Sequence, residues 1–265
     1  MNIFRRKSRQ RRRRPVEDPP PLSAEELARF AREDELYSLG ELAALDSFGL
    51  TKALTIFRRR PTAQHLAAIG KRYSMLHQDV LTLLYYLARQ GAGGILEIGP
   101  YVGGSTIALA QGVRDADQKR TFVTVEQGGK LEHPNVPSTD IVADLKENLA
   151  NNRVADLVHL IVGGALAQGT NDEVRRHLPP ASVGLLVMDA DGAIQNALDS
   201  YRDLLIDDCW VVIDDYFVMA GLALDKAART KAQIDSLGEA GELEGLALFG
   251  WGTWFGRWHR PTRAG

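Results

Sequence analysis

The sequence predicts an α/β protein with a doubly wound, mostly parallel sheet of seven strands, and three observations support this class. Short apolar runs recur between residues 94 and 258, and most are separated by segments with helical periodicity. The last two runs are joined by only a few residues around Gly250, which is too short for a parallel crossover and predicts an antiparallel hairpin. The first run ends in a glycine-rich turn, at the strand end where such sheets bind ligands.

The N-terminal segment is predicted to be a disordered tail over residues 1–21. Residues 1–14 carry eight positive charges and no acid, although the whole chain has a formal net charge of −2. Prolines follow, and the segment has too few apolar residues to form a core. A basic run of this kind binds nucleic acid or an anionic membrane, or it stays solvated, and the sequence leaves these alternatives open.

Residues 22–90 are predicted to form a helical cap that packs on a domain spanning residues 91–265. Ser23 and Glu26 have the spacing of a capping box, so the first helix is expected to begin near Ser23. A second helical stretch is expected over residues 62–90. Its residues 80–87 are apolar almost all round the helix, which predicts burial.

The domain that follows contains the predicted strands and the helices between them. The strands are expected at residues 94–98, 121–126, 157–162, 183–189, 209–214, 244–249 and 252–258. Helices are expected over residues 138–151, 192–205 and 218–237, and another is expected to begin at the glycine-rich turn.

The composition favours a cytoplasmic protein with one substantial core. The chain has a single cysteine, Cys209, so no internal disulfide can form, which fits a reducing compartment. No apolar run approaches the ~20 residues that a membrane span requires, and no apolar segment follows the charged start as in a secretory signal.

The turn after the first strand reads E-x-G-x-x-x-G-G-S-T, from Glu97 to Thr106. Its glycines let the backbone approach a ligand, and the helix start presents free N–H groups. A dinucleotide fingerprint would require glycine where Tyr101 stands, and a phosphate-binding loop would require a lysine after the glycines. An NAD(P)-dependent oxidoreductase is kept as an alternative.

This turn resembles motif I of class I S-adenosylmethionine (SAM)-dependent methyltransferases, in which the loop surrounds the methionine part of SAM. Tyr101 and Ser105 match the G-x-Y-x-G-x-S form of the catechol O-methyltransferase-like enzymes. Glu126 ends the second strand, where a carboxylate can accept both ribose hydroxyls. The turn after the third strand also resembles this group, although Gly164 replaces its usual aspartate. The cofactor-binding residues implied by the resemblance are Glu97, Gly99, Tyr101, Gly103, Gly104, Ser105, Thr106, Glu126, Gln127, Gly164, Ala165, Asp189 and Asp191.

Two acidic pairs follow the fourth and fifth predicted strands. Asp189 and Asp191 form the first pair, and Asp214 and Asp215 form the second. Adjacent parallel strands bring both pairs to the same rim of the sheet. Several carboxylates in one place are electrostatically costly unless a cation joins them, and oxygen ligands suit Mg²⁺ or Ca²⁺.

The acidic pairs resemble those of metal-dependent O-methyltransferases of the catechol, caffeoyl-CoA and macrocin types, over roughly residues 75–258. The resemblance implies Mg²⁺ bound by Asp189, Asp214 and Asp215. The catechol and caffeoyl-CoA types carry a lysine base shortly after the first metal aspartate, but Gly192 and apolar residues follow here. Asp189 or His77 is therefore predicted to take the acceptor's proton as the catalytic residue.

The predicted function is a Rossmann-like SAM-dependent methyltransferase that performs metal-assisted O-methylation of a small-molecule hydroxyl. A sugar, a phenol or a catechol would suit the acidic rim. A non-catalytic SAM-binding module anchored by the basic tail is a further alternative. The sequence leaves N-methylation and a homodimer open.

Overall fold

The computed structural model describes residues 14–36, 47–189, 192–217 and 224–261. One sheet contains seven strands, which are β1 Gly94–Ile98, β2 Phe122–Glu126, β3 His159–Val162, β4 Val183–Met188, β5 Leu205–Ile213, β6 Leu243–Phe249 and β7 Thr253–Trp258. Their order in the sheet is β3-β2-β1-β4-β5-β7-β6. The first five strands in this order pair in parallel, and β7 is antiparallel to both of its neighbours.

The predicted fold class is confirmed, including the C-terminal hairpin of β6 and β7. The five parallel strands end on one rim, which is where the glycine-rich turn and both acidic pairs begin. The largest difference in the sheet is that β5 begins at Leu205 rather than at residue 209. For this reason the helix predicted over residues 192–205 ends at Tyr201.

The described helices are α1 Ala24–Leu36, α2 Ser47–Phe57, α3 Pro61–Tyr73, α4 Gln78–Gln90, α5 Gly104–Arg114, α6 Ile141–Asn151, α7 Gln168–His177, α8 Ile194–Tyr201 and α9 Leu224–Glu239. The capping box is confirmed at α1, where the Ser23 hydroxyl donates to Glu26 at 2.8 Å and the Glu26 N–H donates back at 3.3 Å. Helix α9 begins at Leu224, and the predicted residues 218–223 lie outside the described part of the chain.

Two helix predictions are corrected by local capping. The stretch 62–90 is two helices, because Ser74 is extended and His77 caps α4 by accepting the Asp79 N–H at 3.2 Å. Helix α6 begins at Ile141 rather than near Ser138, because Asp140 is its N-cap. Ser138 instead pairs with Leu131 in an isolated bridge.

Apolar side chains cover both faces of the sheet. Helices α2 to α6 contribute to a core that includes Ile95 and Trp210, whereas α7, α8 and α9 contribute to a second core with Leu96 and Val211. Residues 80–87 of α4 are all buried, as predicted. Because the N-terminal helices share a core with the sheet, they support the strand ends that carry the site. The predicted division at residues 21 and 90 stays a prediction.

The segment that leads out of the basic tail lies against α3. The carbonyl of Arg14 accepts hydrogen bonds from Arg72 at 2.9 Å and from the hydroxyl of Tyr73 at 2.7 Å. Residues 1–13 lie outside the described residues, so contact of the tail with nucleic acid or membrane stays a prediction. Within the described ranges, no helix is long and apolar enough to cross a membrane.

Candidate active site

The ends of β1 and β4 meet at Gly99, which has a φ of +77°. A Cβ at this position would lie 2.5 Å from the carbonyl oxygen of Asp189. The Asp189 N–H in turn donates to the carbonyl of Ile98 at 2.9 Å. Glycine is therefore required here for backbone approach, and the contact fixes the first acidic residue beside the glycine-rich turn.

Glu97 is a fully buried carboxylate in β1. One of its oxygens accepts hydrogen bonds from the hydroxyls of Thr106 at 2.7 Å and Thr124 at 2.8 Å. The other oxygen, Oε1, forms no hydrogen bond of good geometry with the described residues, although the Ser105 hydroxyl lies close enough to act on the pKa of Glu97. Burial raises the pKa of the Glu97 carboxyl, and the surrounding hydroxyls partly oppose this rise. A buried acceptor without such a bond is costly, so it indicates a binding group aimed at a ligand.

Glu126 ends β2 and is fastened to the turn. Its carboxylate accepts the N–H groups of Tyr101 at 3.1 Å and Gly128 at 2.7 Å. Burial raises the pKa of Glu126, while these backbone donors act to lower it. Each carboxylate oxygen can accept more than one hydrogen bond, so Glu126 keeps acceptor capacity for a diol.

Of the remaining residues of the turn, one lines a pocket and the others have contacts within the fold. Ser105 lines a small pocket, whereas the Thr106 hydroxyl is used to hold Glu97. A Cβ on Gly103 would meet Leu145 at 2.6 Å, and one on Gly104 would meet Ser74 at 2.3 Å. Both glycines thus have a packing reason, and their predicted contact with a cofactor stays a prediction.

A cleft of about 710 Å³ follows the carboxyl rim, and Gln127, Gly164 and Ala165 are among its walls as expected. No atom lies within 4 Å of a Cβ built on Gly164, so the cleft is open at this point. Beside it is the small pocket, with Glu97, Ser105 and Asp214 in its walls. The residues that line both spaces are Met75, Ile98, Gly99, Tyr101 and Asp189.

The long insert after Glu126 forms a wall of the cleft. Lys130 and Leu131 line this space, and the insert is closed by the bridge between Leu131 and Ser138. The hydroxyl of Tyr101 donates a hydrogen bond to the carbonyl of Val136. The same tyrosine thus binds Glu126 through its backbone and the insert through its ring, which holds the wall against the turn.

The predicted metal ligands come together at the rim. Each of Asp189, Asp214 and Asp215 offers one carboxylate oxygen, and these atoms all lie within 4.8 Å of one another. Burial, followed by repulsion from Asp189 and Asp215, raises the pKa of Asp214 to about 7. The fourth acidic residue, Asp191, lies outside the described residues.

Two residues that sequence reasoning missed hold this cluster. Thr253 at the start of β7 donates its hydroxyl to Asp214 at 2.7 Å. The ammonium of Lys226 in α9 lies 2.7 Å from Asp189 Oδ1 and 2.6 Å from Asp215 Oδ2. Burial acts to lower the pKa of Lys226, but the two aspartates outweigh it and raise the pKa above its ordinary value. No motif marks either residue, because each reaches the rim through packing of distant elements.

His77 lies at the start of α4 rather than among the acids. Its Nδ1 accepts the Asp79 N–H, and its ring packs edge-on against Trp251 at a centroid distance of 4.8 Å. The residues that line the cleft and the small pocket do not include it. Its predicted catalytic role stays a prediction, and the geometry favours Asp189 for that role.

Residues 96–216 match the family model described as "Methyltransferase domain". The match covers a little under half of the chain, and this part is similar to a methyltransferase domain. The predicted enzyme class, a SAM-dependent methyltransferase, is thereby confirmed, and the oxidoreductase alternative is set aside. A comparison with curated proteins gives no match.

Solved structures with the same fold include methyltransferases of low sequence identity. The O-methyltransferase TomG from Streptomyces achromogenes, in complex with SAM, is 20% identical over 83% of this chain and 98% of its own, with a TM-score of 0.52. An O-methyltransferase from Bacillus cereus in complex with SAH is 14% identical over 80% of this chain and 100% of its own, with a TM-score of 0.53. A Staphylococcus aureus protein, provisionally named a caffeoyl-CoA O-methyltransferase, is 18% identical over 74% of this chain and 90% of its own, with a TM-score of 0.54.

Proposed function

We propose that this methyltransferase transfers the methyl group of SAM to a hydroxyl of a small molecule, with a divalent metal at the acidic rim. The observation that carries the proposal is the pair of adjoining spaces that meet at Asp189. One space has the size and walls for a nucleoside, and the other has Asp189 and Asp214 in its walls. Methyl transfer requires donor and acceptor to meet in line, so adjoining spaces suit a reaction whose rate depends on positioning.

The residues of the turn fit the donor. The Oε1 of Glu97 is suited to the ammonium of the methionine part, because a buried carboxylate gains most from a charged donor. Glu126 is suited to the ribose diol at the cleft. The bound donor would supply the methyl group, and the described side chains hold it and limit the access of water.

Two features of the rim suit a divalent metal: its carboxylate oxygens and its contact with the positively charged Lys226. Asp189, Asp214 and Asp215 would hold the ion, since carboxylate oxygens are the ligands that Mg²⁺ prefers. The ammonium of Lys226 contacts both Asp189 and Asp215, so these two acids already bind a positive charge. A metal here would make the acceptor hydroxyl more acidic.

The chain's own residues orient the acceptor and receive its proton. Asp189 has a side chain that is 32% exposed and lines both spaces, so it is placed to accept the proton of an incoming hydroxyl. Val187, Val212 and Leu84 line the small pocket and keep it apolar behind the acids. Low water content there strengthens the charge interactions on which the reaction depends.

The experiment combines binding with turnover. Isothermal titration with SAM, and separately with NAD⁺, should give binding of SAM only. Formation of SAH should then be measured with a catechol, a phenol and a sugar as acceptors, in Mg²⁺ and in excess EDTA. Turnover lost in EDTA and restored by Mg²⁺ supports the proposal. Full activity in EDTA would exclude the metal, and SAM binding without turnover would favour the non-catalytic module.

A further inference from the structure

Lys226 contacts two of the three acids that would hold a metal. Its ammonium contacts one oxygen of Asp189 and one of Asp215, and its side chain is only 20% exposed. Asp214 differs from the other two acids because it receives the hydroxyl of Thr253. The single ammonium therefore holds together two carboxylates that would otherwise repel each other.

Helix α9 delivers this ammonium to the turn that lacks a lysine of its own. A Cβ on Gly192, which has a φ of +77°, would lie 3.2 Å from Arg229 and 3.5 Å from the carbonyl of Lys226. Gln233 fastens the same helix by accepting the N–H of Gln195 at 2.8 Å and donating to the carbonyl of Gly192. Gly192 has no side chain, and the packing of α9 against it brings the Lys226 side chain to the acids instead.

An ammonium and a metal ion compete when both approach the same pair of carboxylates. Divalent metals sit about 2.0–2.6 Å from their oxygen ligands, within the space that the Lys226 ammonium fills. Two cations so close would repel strongly in a partly buried site. Lys226 also lines the large cleft, so its long side chain has open space into which it can turn.

We propose that Lys226 is an internal cation that competes with the divalent metal for Asp189 and Asp215 and leaves them when the metal binds. The proposal rests on the proposed function, because it takes the three carboxylates as the metal site. It assigns to Lys226 the control of metal affinity. The lysine keeps the rim intact in the absence of metal and sets the concentration at which the ion enters.

The test measures Mn²⁺ binding to the full chain after removal of metals with a chelator. Lys226→Met should bind Mn²⁺ about tenfold more tightly than the wild type, or better, because about 1.4 kcal/mol of competition is removed. Lys231→Met is the matched control, since it removes a lysine from the same helix that pairs with the exposed Asp235. It should bind Mn²⁺ as the wild type does.

A labelling experiment on the wild type needs no variant and covers the case in which Lys226→Met does not fold. Mn²⁺ should increase the modification of Lys226 by an amine-reactive reagent, relative to Lys231, as measured by mass spectrometry. Unchanged or reduced labelling would overturn the inference.

The outcomes separate this inference from the proposed function. Equal Mn²⁺ affinity of a folded Lys226→Met variant and the wild type would overturn the competition while leaving the metal site in place. Absence of Mn²⁺ binding in both proteins would overturn the competition together with the metal part of the proposed function. SAM binding, measured in the same samples, reports on the donor site separately.

Discussion

The site has two acidic halves that are held in different ways. The donor half contains Glu97 and Glu126, and the metal half contains Asp189, Asp214 and Asp215. Glu97 takes hydrogen bonds from Thr106 and Thr124, which lie 9 and 27 positions away in neighbouring elements. Asp189 and Asp214 instead depend on Lys226 and Thr253, which lie 37 and 39 positions away. The donor half is therefore built from adjacent elements along the chain, whereas the metal half requires α9 and the hairpin to be in place.

The difference also concerns charge. Glu97 accepts hydrogen bonds from hydroxyls and Glu126 accepts them from backbone N–H groups, so neutral donors fix the orientation of each carboxylate. At the rim three carboxylates lie together, and the ammonium of Lys226 contacts Asp189 and Asp215. Burial, followed by repulsion from these two acids, raises the pKa of Asp214. We conclude that the donor half is preorganised, whereas the metal half is suited to exchange its ammonium for a divalent ion.

The largest expected effect comes from breaking the contact between the halves. Gly99→Ala adds a Cβ that would lie 2.5 Å from the Asp189 carbonyl at a φ of +77°. Backbone strain and overpacking together should lower the free energy of unfolding by about 4 kcal/mol. Urea unfolding measures this loss. Gly164→Ala is the control, because no atom lies within 4 Å of its Cβ, and a similar loss there would contradict the explanation.

The next effect sharpens the assignment of the donor half. Glu126→Gln removes the charge that would accept the ribose hydroxyls, so the dissociation constant for SAM should rise about 30-fold, or about 2 kcal/mol. Isothermal titration measures the change. The exposed Glu132→Gln in the insert is the matched control and should bind SAM like the wild type. Unchanged affinity in Glu126→Gln would exclude this contact.

A smaller effect is expected in the metal half. Thr253→Val removes the hydroxyl that orients Asp214, and loss of such a supporting hydrogen bond should weaken Mn²⁺ binding about tenfold. Thr253→Ser keeps the hydroxyl and should retain wild-type affinity. Titration of Mn²⁺ followed by electron paramagnetic resonance separates the two variants. Equal weakening in both would point to packing rather than to the hydrogen bond.

A further effect, on the stability of the metal half, is a pH dependence in the absence of metal. The pKa of Asp214 is about 7 in the folded protein and about 3.9 in an unfolded chain. The folded state therefore binds more protons between these values, and the contribution of Asp214 to stability falls as pH rises through this window. Asp214→Asn cannot ionise, so its Tm should rise relative to that of the wild type, by about 10 °C between pH 4 and pH 8.

Calorimetry in EDTA at several pH values measures this difference. Asp117→Asn, which removes an exposed carboxylate far from the rim in sequence, is the control for the loss of one charge. A Tm difference between Asp214→Asn and the wild type that does not change with pH would contradict the electrostatic account. Added Mn²⁺ should stabilise the wild type more than Asp214→Asn, because the variant lacks one ligand.

The sequence by itself determined the features that local patterns encode. The residues of β1, the C-terminal hairpin and the capping box at Ser23 follow from apolar runs, loop length and cap spacing. The meeting of the acids on one rim follows from the geometry of parallel strands. Even here the helix expected from residue 138 begins at Ile141, because Asp140 is its N-cap.

Only the tertiary structure decided what the acids contact. Lys226 reaches Asp189 because α9 packs on Gly192, and Thr253 reaches Asp214 because β7 pairs with β5. Such contacts depend on how elements dozens of residues apart fit together, and no periodicity or spacing in the chain records them. The sequence therefore supplied the charges of the site, and the packing of α9 and β7 supplied their counter-ion and their orientation.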